Sequence, residues 1–363
     1  MWMRTGLLLF ILLFTAYEVD AQVKTGFNKG EYIELLKVFG GAYKGIKSVP
    51  PPVHSKLVYR SPVVGMDNRW DLWMRDDKVA IISIRGTTAQ NISWIENLYA
   101  AMVPAIGTLH LNDSTIFNYH LANNPRAGVH IGWLIGMASI SADVVAHIDS
   151  CYRVGVRDFI IAGHSQGGAI SFLMRSYLEY LKQQKHLPAD IHFKTYCSGA
   201  PKPGNVYYAY EYEAMTQDGS SFTVLNSVDW VPEVPVSVQT INDFTTVNPV
   251  TDAGHVMRKQ KFPVNFALRY IYGQLSKPSL KAQKRNNKYL GRIISKQVTK
   301  HLSGYQPPQY MNSSAYVRAG NCIILLADED YHKHFPDDKN NVFCHHTFGP
   351  YLYLAEKLND SVD

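Results

Sequence analysis

The stretch Ile160-Ile161-Ala162-Gly163-His164-Ser165-Gln166-Gly167-Gly168-Ala169 sets one serine between glycines, with an apolar run before it and a helical pattern after it. A serine acts as a nucleophile when its hydroxyl stands clear of the backbone and a base can take its proton. The G-x-S-x-G spacing provides the first condition. On a tight strand-to-helix turn the nucleophile has strained backbone angles, and neighbours without a Cβ relieve the crowding. The turn also places Ser165 at a helix N-terminus, where unpaired N–H groups and the helix dipole favour a developing anion. Ser165 is therefore the candidate nucleophile, and the chemistry it points to is acyl transfer through a covalent intermediate.

A serine needs a base, and the base needs an orienting acid. In proteins built on this turn the chain order is serine, acid, histidine. Downstream, Phe222–Asn226 reads as a strand, and Asp229 sits just past its C-terminal end, the edge where open α/β sheets build their sites. Asp243 and Asp252 are competitors that follow no clear strand. The histidines after Asp229 are His255, His301, His332, His334, His345 and His346. The last two precede the terminal helical pattern, and a loop there can swing toward Ser165. His346 is preferred, with His345 the alternative. Acyl transfer also needs two N–H donors for the oxyanion. Gln166 supplies one by following the nucleophile. Thr87, in the glycine turn after the strand Lys78–Ile84, is placed to supply the other.

These residues need a scaffold. Strand-like runs at 78–84, 158–162, 191–197, 222–226 and 322–326 alternate with helical patterns at 131–148, 169–181 and 351–358. Such alternation predicts a mostly parallel sheet with helices on both faces, here one domain over residues 22–363. The chain has 363 residues, 46% hydrophobic and 18% charged, which excludes wholesale disorder. Residues 1–21 have the layout of a secretory signal peptide, with the apolar run Leu7–Phe14 and small or branched residues before a cut at Gln22. Export is expected, to the periplasm or beyond the cell. In an oxidising compartment the four cysteines allow two bridges. Cys322 and Cys344 are the expected pair, and Cys197 reads as a buried thiol.

The net charge of +6 is unevenly spread. Residues 253–300 hold twelve Lys or Arg and no Asp or Glu. Within this basic insertion, 253–302, Lys284, Lys288, Arg292, Lys296 and Lys300 form one helical stripe. Leu290, Ile293, Ile294, Val298 and Leu302 fall opposite it. The pattern fits a helix docked on the core with a solvated basic face, or one attracted to an anionic membrane surface. No nucleic-acid motif accompanies the charge, so nucleic acid is not an expected partner. The acidic and histidine residues at 328–338 match no metal-binding loop and read as a solvated segment, with no metal.

Six blocks in order resemble the class 3 lipase family, the fungal-type triacylglycerol lipases. They are Ile84-Arg85-Gly86-Thr87, Val129-His130-Ile131-Gly132-Trp133, Gly163 to Ala169, Ser198 to Gly204, Val224 to Pro232, and His346 with Tyr351. The resemblance implies an α/β-hydrolase fold and a Ser165–Asp229–His346 triad, with His346 five residues before Tyr351. It also implies an oxyanion hole from the backbone of Thr87 and Gln166, hydrolysis of lipid carboxyl esters, and no cofactor. By the family's layout, residues 89–106 are the candidate lid, and Trp94, Ile95 and Tyr99 would meet substrate. A fixed surface helix is the other reading of that amphipathic stretch. A phospholipase, a short-chain carboxylesterase, an acyltransferase or a non-catalytic binding member would use the same scaffold. Two departures stand out. Gln166 replaces the usual Leu, and 250–340 is longer than in fungal members.

Overall fold

The computed structural model describes residues 23–43, 45–249 and 253–359. The expected signal peptide at 1–21 and the competitor Asp252 lie outside them. Seven strands form the main sheet in chain order: β1 (Ser55–Arg60), β2 (Trp70–Arg75), β3 (Ala80–Ile84), β4 (Asp158–His164), β5 (His192–Ser198), β6 (Ser221–Asn226) and β7 (Asn321–Leu325). The first three pair antiparallel, and β3 through β7 run parallel. A parallel strand buried on both faces should be apolar throughout, and every residue of β4 is buried.

Alternation along the strands sorts the core into two layers. Ile82, Ile84, Phe159 and Ile161 meet helices α3 (Ile131–Arg153) and α4 (Gln166–Gln183) through Leu134, Ile135, Ile170 and Leu173. Ile81, Ile160, Ala162, Tyr196 and Val224 point the other way. There they meet the N-terminal helix α1 (Lys29–Gly41), through Leu35, Leu36 and Phe39, and the terminal helix Phe348–Glu356, through Tyr351 and Leu354. Each large side chain buried this way contributes ~1.5–3 kcal/mol. A parallel sheet layered between helices, with the tight strand-to-helix turn at Ser165 after its central strand, is the α/β-hydrolase fold. Among the described residues only α3 is long and apolar enough to cross a membrane, and two thirds of it is buried in this core.

The basic insertion opens with a short helix (Ala253–Arg258) and, after a turn, continues as one helical run of α5 (Val264–Asn286), a π-helical segment (Asn287–Ile293) and α6 (Ile294–His301). Lys284, Lys288, Arg292, Lys296 and Lys300 are exposed. Ile294, Val298 and Leu302 pack on the core opposite them. Ile293, expected on the packed side, is instead exposed, because the wider π turn rotates the face it occupies.

The expected Cys322–Cys344 bridge does not form, and all four cysteines are free. Cys322 lies near the start of β7, opposite Thr223. Cys344 lies on the loop whose next residue, His345, bonds through its carbonyl to Asn226 at the far end of β6. Three residues of strand, ~10 Å, separate those levels of the sheet, beyond disulfide reach.

The sheet and α4 meet through backbone alone at Gly167, where an added Cβ would sit 2.1 Å from the Ile84 carbonyl oxygen. Gly167→Ala should therefore push α4 off β3 and cost ~2 kcal/mol or more. An unchanged thermal melt for that variant would contradict this packing.

Candidate active site

The turn after β4 gives Ser165 φ +60° and ψ −131°, outside the negative-φ region most residues occupy. The conformation holds because three backbone segments close on it. The Ser165 N–H donates to the Ser198 carbonyl at the end of β5, 2.9 Å away. Gly163 lies so near Gly167 that a Cβ on it would sit 2.3 Å from the Gly167 carbonyl carbon. Ser165 therefore stands at the floor of a cavity of about 720 Å³.

Asp229 lies just beyond β6, buried, and accepts from three donors. Its Oδ2 takes the His346 Nδ1–H at 2.6 Å and the Tyr351 hydroxyl at 2.7 Å, and its Oδ1 takes the Val231 N–H at 3.0 Å. A carboxylate only accepts, so His346 carries its proton on Nδ1. Nε2 is then left with its lone pair, and this atom has no hydrogen-bond partner among the described residues. His346 lines the same cavity as Ser165. His345 is turned away: its Nδ1 meets the Tyr331 hydroxyl at 2.8 Å and its Nε2 meets Asp337 at 3.0 Å. Asp243 is occupied elsewhere, capping the turn at Thr240.

A polar chain that sequence reasoning did not single out holds the His346 backbone. His164 is fully buried, and burial pushes its imidazole down to about 3, so it is neutral. Its Nε2 lies 2.7 Å from the His346 carbonyl oxygen and must donate there. Its Nδ1 then accepts from the Ser198 hydroxyl at 3.0 Å, and Ser198 accepts from Tyr32 at 2.7 Å. The signal was present in the sequence, since His164 directly precedes the serine.

The loop after β3 carries Thr87 to the same floor. Arg85 donates to the Asp67 carbonyl at 2.7 Å, and the Thr88 hydroxyl bonds the Asp67 carboxylate. Gln166, the departure from the usual Leu, ties this loop to helix α2 (Asn91–Leu98). Its Oε1 accepts from Thr87 Oγ1 at 3.0 Å and from Ser93 Oγ at 3.2 Å. Its side chain also interacts with the buried carboxyl of Glu96. Asn97 extends the network, donating to Thr87 Oγ1 at 2.9 Å and accepting from Trp133 Nε1 at 2.9 Å.

The residues expected to form a lid divide. Trp94 lines the cavity and is 40% exposed. Ile95 packs against the main core instead. Tyr99 is fully buried, its hydroxyl bonded to Tyr305 and Tyr310, so it does not meet substrate as expected. Helix α2 packs between α3 and α6, and the Glu96 backbone passes so close to Gly132 that a Cβ there would meet its carbonyl oxygen at 1.9 Å. The amphipathic periodicity came from this sandwich. The remaining cavity wall includes Tyr43, Pro201, Trp230, Val236, Leu290, Phe343 and Phe348. These come from five separated segments, and no local pattern links them.

Residues 81–239 match the family model for class 3 lipases. Secreted mono- and diacylglycerol lipase 1 of Fusarium solani is 29% identical over 110 residues, 30% of this chain and 30% of that protein. This chain thus matches under a third of that relative's length. Among solved structures, the Rhizomucor miehei lipase propeptide complex aligns at 19% identity and a TM-score of 0.42, over 58% of this chain and 65% of that one. A triacylglycerol lipase from Penicillium expansum aligns at 14% identity and a TM-score of 0.42, over 58% of this chain and 75% of that one.

Two consequences of the Gln166 network can be measured. Burial pushes the Glu96 carboxyl up to about 8 from the usual 4.5. The folded chain then keeps a proton that the unfolded chain releases, so stability from this group is complete below 4.5 and declines as pH rises toward 8. Glu96→Gln cannot ionise and should lose that decline, melting ~1 kcal/mol or more above wild type at pH 9 but not at pH 4. Equal differences at both pH values would show that the carboxyl is not held neutral. Gln166→Leu should leave the Thr87 and Ser93 hydroxyls short of an acceptor, costing ~1–3 kcal/mol. Any ester turnover should fall in kcat more than it changes KM, because the loop bearing Thr87 loosens. A fall in melting temperature without that kcat effect would make the network purely structural.

Proposed function

We propose that this chain, a member of the class 3 lipase family through its residues 81–239, is a serine hydrolase of lipid carboxyl esters. One observation carries the reading. The Asp229 bond to Nδ1 leaves His346 Nε2 unpartnered on a cavity that Ser165 also lines. In the proposed mechanism, Nε2 takes the Ser165 hydroxyl proton as Oγ attacks the ester carbonyl. The N–H groups of Gln166, at the first turn of α4, and Thr87 stabilise the oxyanion. His346 then protonates the departing alcohol, and water repeats the sequence to release the acid. Asp229 fixes the imidazole tautomer and stabilises the imidazolium, and Tyr351 holds the carboxylate in place.

The cavity supports a long acyl chain, since its wall is largely aromatic and aliphatic: Tyr43, Trp94, Leu98, Trp230, Val236, Leu290 and Phe343. Trp94, Trp230 and Phe343 cluster at ring distances of 5.4 to 5.9 Å around the rim. That favours a lipid ester over a small polar one. Export completes the reading, supported by the Fusarium relative's description as secreted and by the layout of residues 1–21. Residues 22–363 are read as one unit, because β7, beyond the basic insertion, completes the same sheet as β3 and β4.

The test is hydrolysis by wild type and Ser165→Ala of emulsified triglyceride, diglyceride, phospholipid and short p-nitrophenyl esters. Wild type should turn over glycerides, and the variant should lose ~10³-fold or more in kcat with an unchanged melt. Retained activity in the variant, or fluorophosphonate labelling at a residue other than Ser165, would overturn the assignment.

A further inference from the structure

Half of the basic insertion has a role that docking on the core does not explain. Val264, Leu268, Ile271 and Leu275 recur at helical spacing along one face of α5, and they are 51%, 38%, 53% and 73% exposed. Phe262, just before the helix, and Phe266, on its other side, are 82% and 67% exposed. A helix face meant for the core is covered, as Val298 on α6 is. On α5, however, buried positions begin only at Ser276 and Gln283. Upstream of them, the main described neighbour of α5 is the short helix Ala253–Arg258 that precedes it. Pro278 marks the change: it lacks the N–H that would bond one turn back and weakens the helix there.

Charge decides what would cover this face. Arg258, Lys259, Lys261, Arg269, Lys277 and Lys281 surround it, and residues 253–300 contain no acidic side chain. Among the described residues no salt bridge neutralises them. A second copy would bring a like-charged arm against this one. A surface that accepts apolar side chains and carries negative charge matches both properties.

We propose that α5, from Phe262 to Leu275, is an arm that docks the protein on an anionic lipid surface, with its apolar side chains inserted and its basic ones at the headgroups. The proposal rests on the lipid-ester reading and gives that site its partner. The same helical run supplies Leu290 to the cavity wall, roughly 22 Å along the axis from Leu275. The arm and the cavity are therefore parts of one rod. The stripe from Lys284 to Lys300 lies on the docked half, and the insertion begins upstream of it.

Vesicle flotation tests this without turnover. The full chain should bind phosphatidylcholine vesicles containing phosphatidylglycerol better than phosphatidylcholine alone, and the difference should shrink with added salt. The variant Leu268→Glu/Ile271→Glu/Leu275→Glu should lose about tenfold or more in partitioning. Its melting temperature and its hydrolysis of a monomeric p-nitrophenyl ester should match wild type. Binding indifferent to phosphatidylglycerol, or undiminished in the variant, would overturn the proposal. So would a wild-type dimer in gel filtration that the variant dissociates, since the face would then join two copies. A chain that floats with vesicles yet hydrolyses no ester would refute the hydrolase reading and leave the arm standing.

Discussion

The close approach of three backbones around Ser165 governs the rest of this structure. The end of β3, the turn after β4 and the first turn of α4 meet where Gly167 touches the Ile84 carbonyl and Gly163 touches Gly167. A positive φ at a serine costs roughly 1–2 kcal/mol and persists only where the surroundings over-determine it. Here they do, through the bond from the Ser165 N–H to Ser198 and the packing of α4 on the sheet. The same contact fixes a second relation. With α4 pressed on the end of β3, the side chain of its first residue, Gln166, reaches the loop that leaves β3. Thr87 and Gln166 are neighbours because Gly167 has no side chain.

Around His346 the polar groups are arranged so that each bond sets the direction of the next. His164 is neutral and offers one N–H, which the His346 carbonyl claims. Its other nitrogen must accept, so Ser198 donates and in turn accepts from Tyr32. On the other side, Asp229 takes donors from His346, Tyr351 and Val231, leaving the imidazole one tautomer. Backbone and ring of the same residue are thus held from opposite directions. Burial reinforces both, raising the Tyr351 phenol and lowering the His164 imidazole so that both stay in the neutral forms these bonds require.

The sequence made the parallel strands legible because they are buried on both faces and read as apolar runs. Ser165 and Asp229 were legible as candidates because each sits just past a visible strand, and His346 because it sits just before the terminal helical pattern. The antiparallel edge was not. β1 is mostly exposed, and β2 carries Asp71, buried and held by Arg60 at 2.7 and 2.9 Å, so neither shows a clean period. Helix α1 was obscured by Gly30, Gly40 and Gly41, its start fixed instead by the Asn28 side chain accepting from Glu31 N–H. Tyr99 shared the helical spacing of Ile92 and Ile95 but lies where α2 ends, and its hydroxyl found Tyr305 and Tyr310, two hundred residues on. Partners at that separation leave no local trace.

Periodicity failed differently in the basic insertion. Both halves of the run from Val264 to His301 carry an apolar stripe and a basic one, so by pattern they are the same helix. What separates them is the surface beneath. At α6 the neighbours are α2 and the main core, and Ile294, Val298 and Leu302 are covered. At the start of α5 no comparable surface lies among the described residues, and an equivalent stripe is left at about half exposure. Burying four such side chains elsewhere would recover ~1.5–3 kcal/mol each in full contact. An apolar face that no described residue covers, within a block of cations that form no salt bridge among the described residues, costs solubility unless something binds it. The α6 half explains itself by its contacts, and the α5 half is the face that the proposed lipid surface would cover.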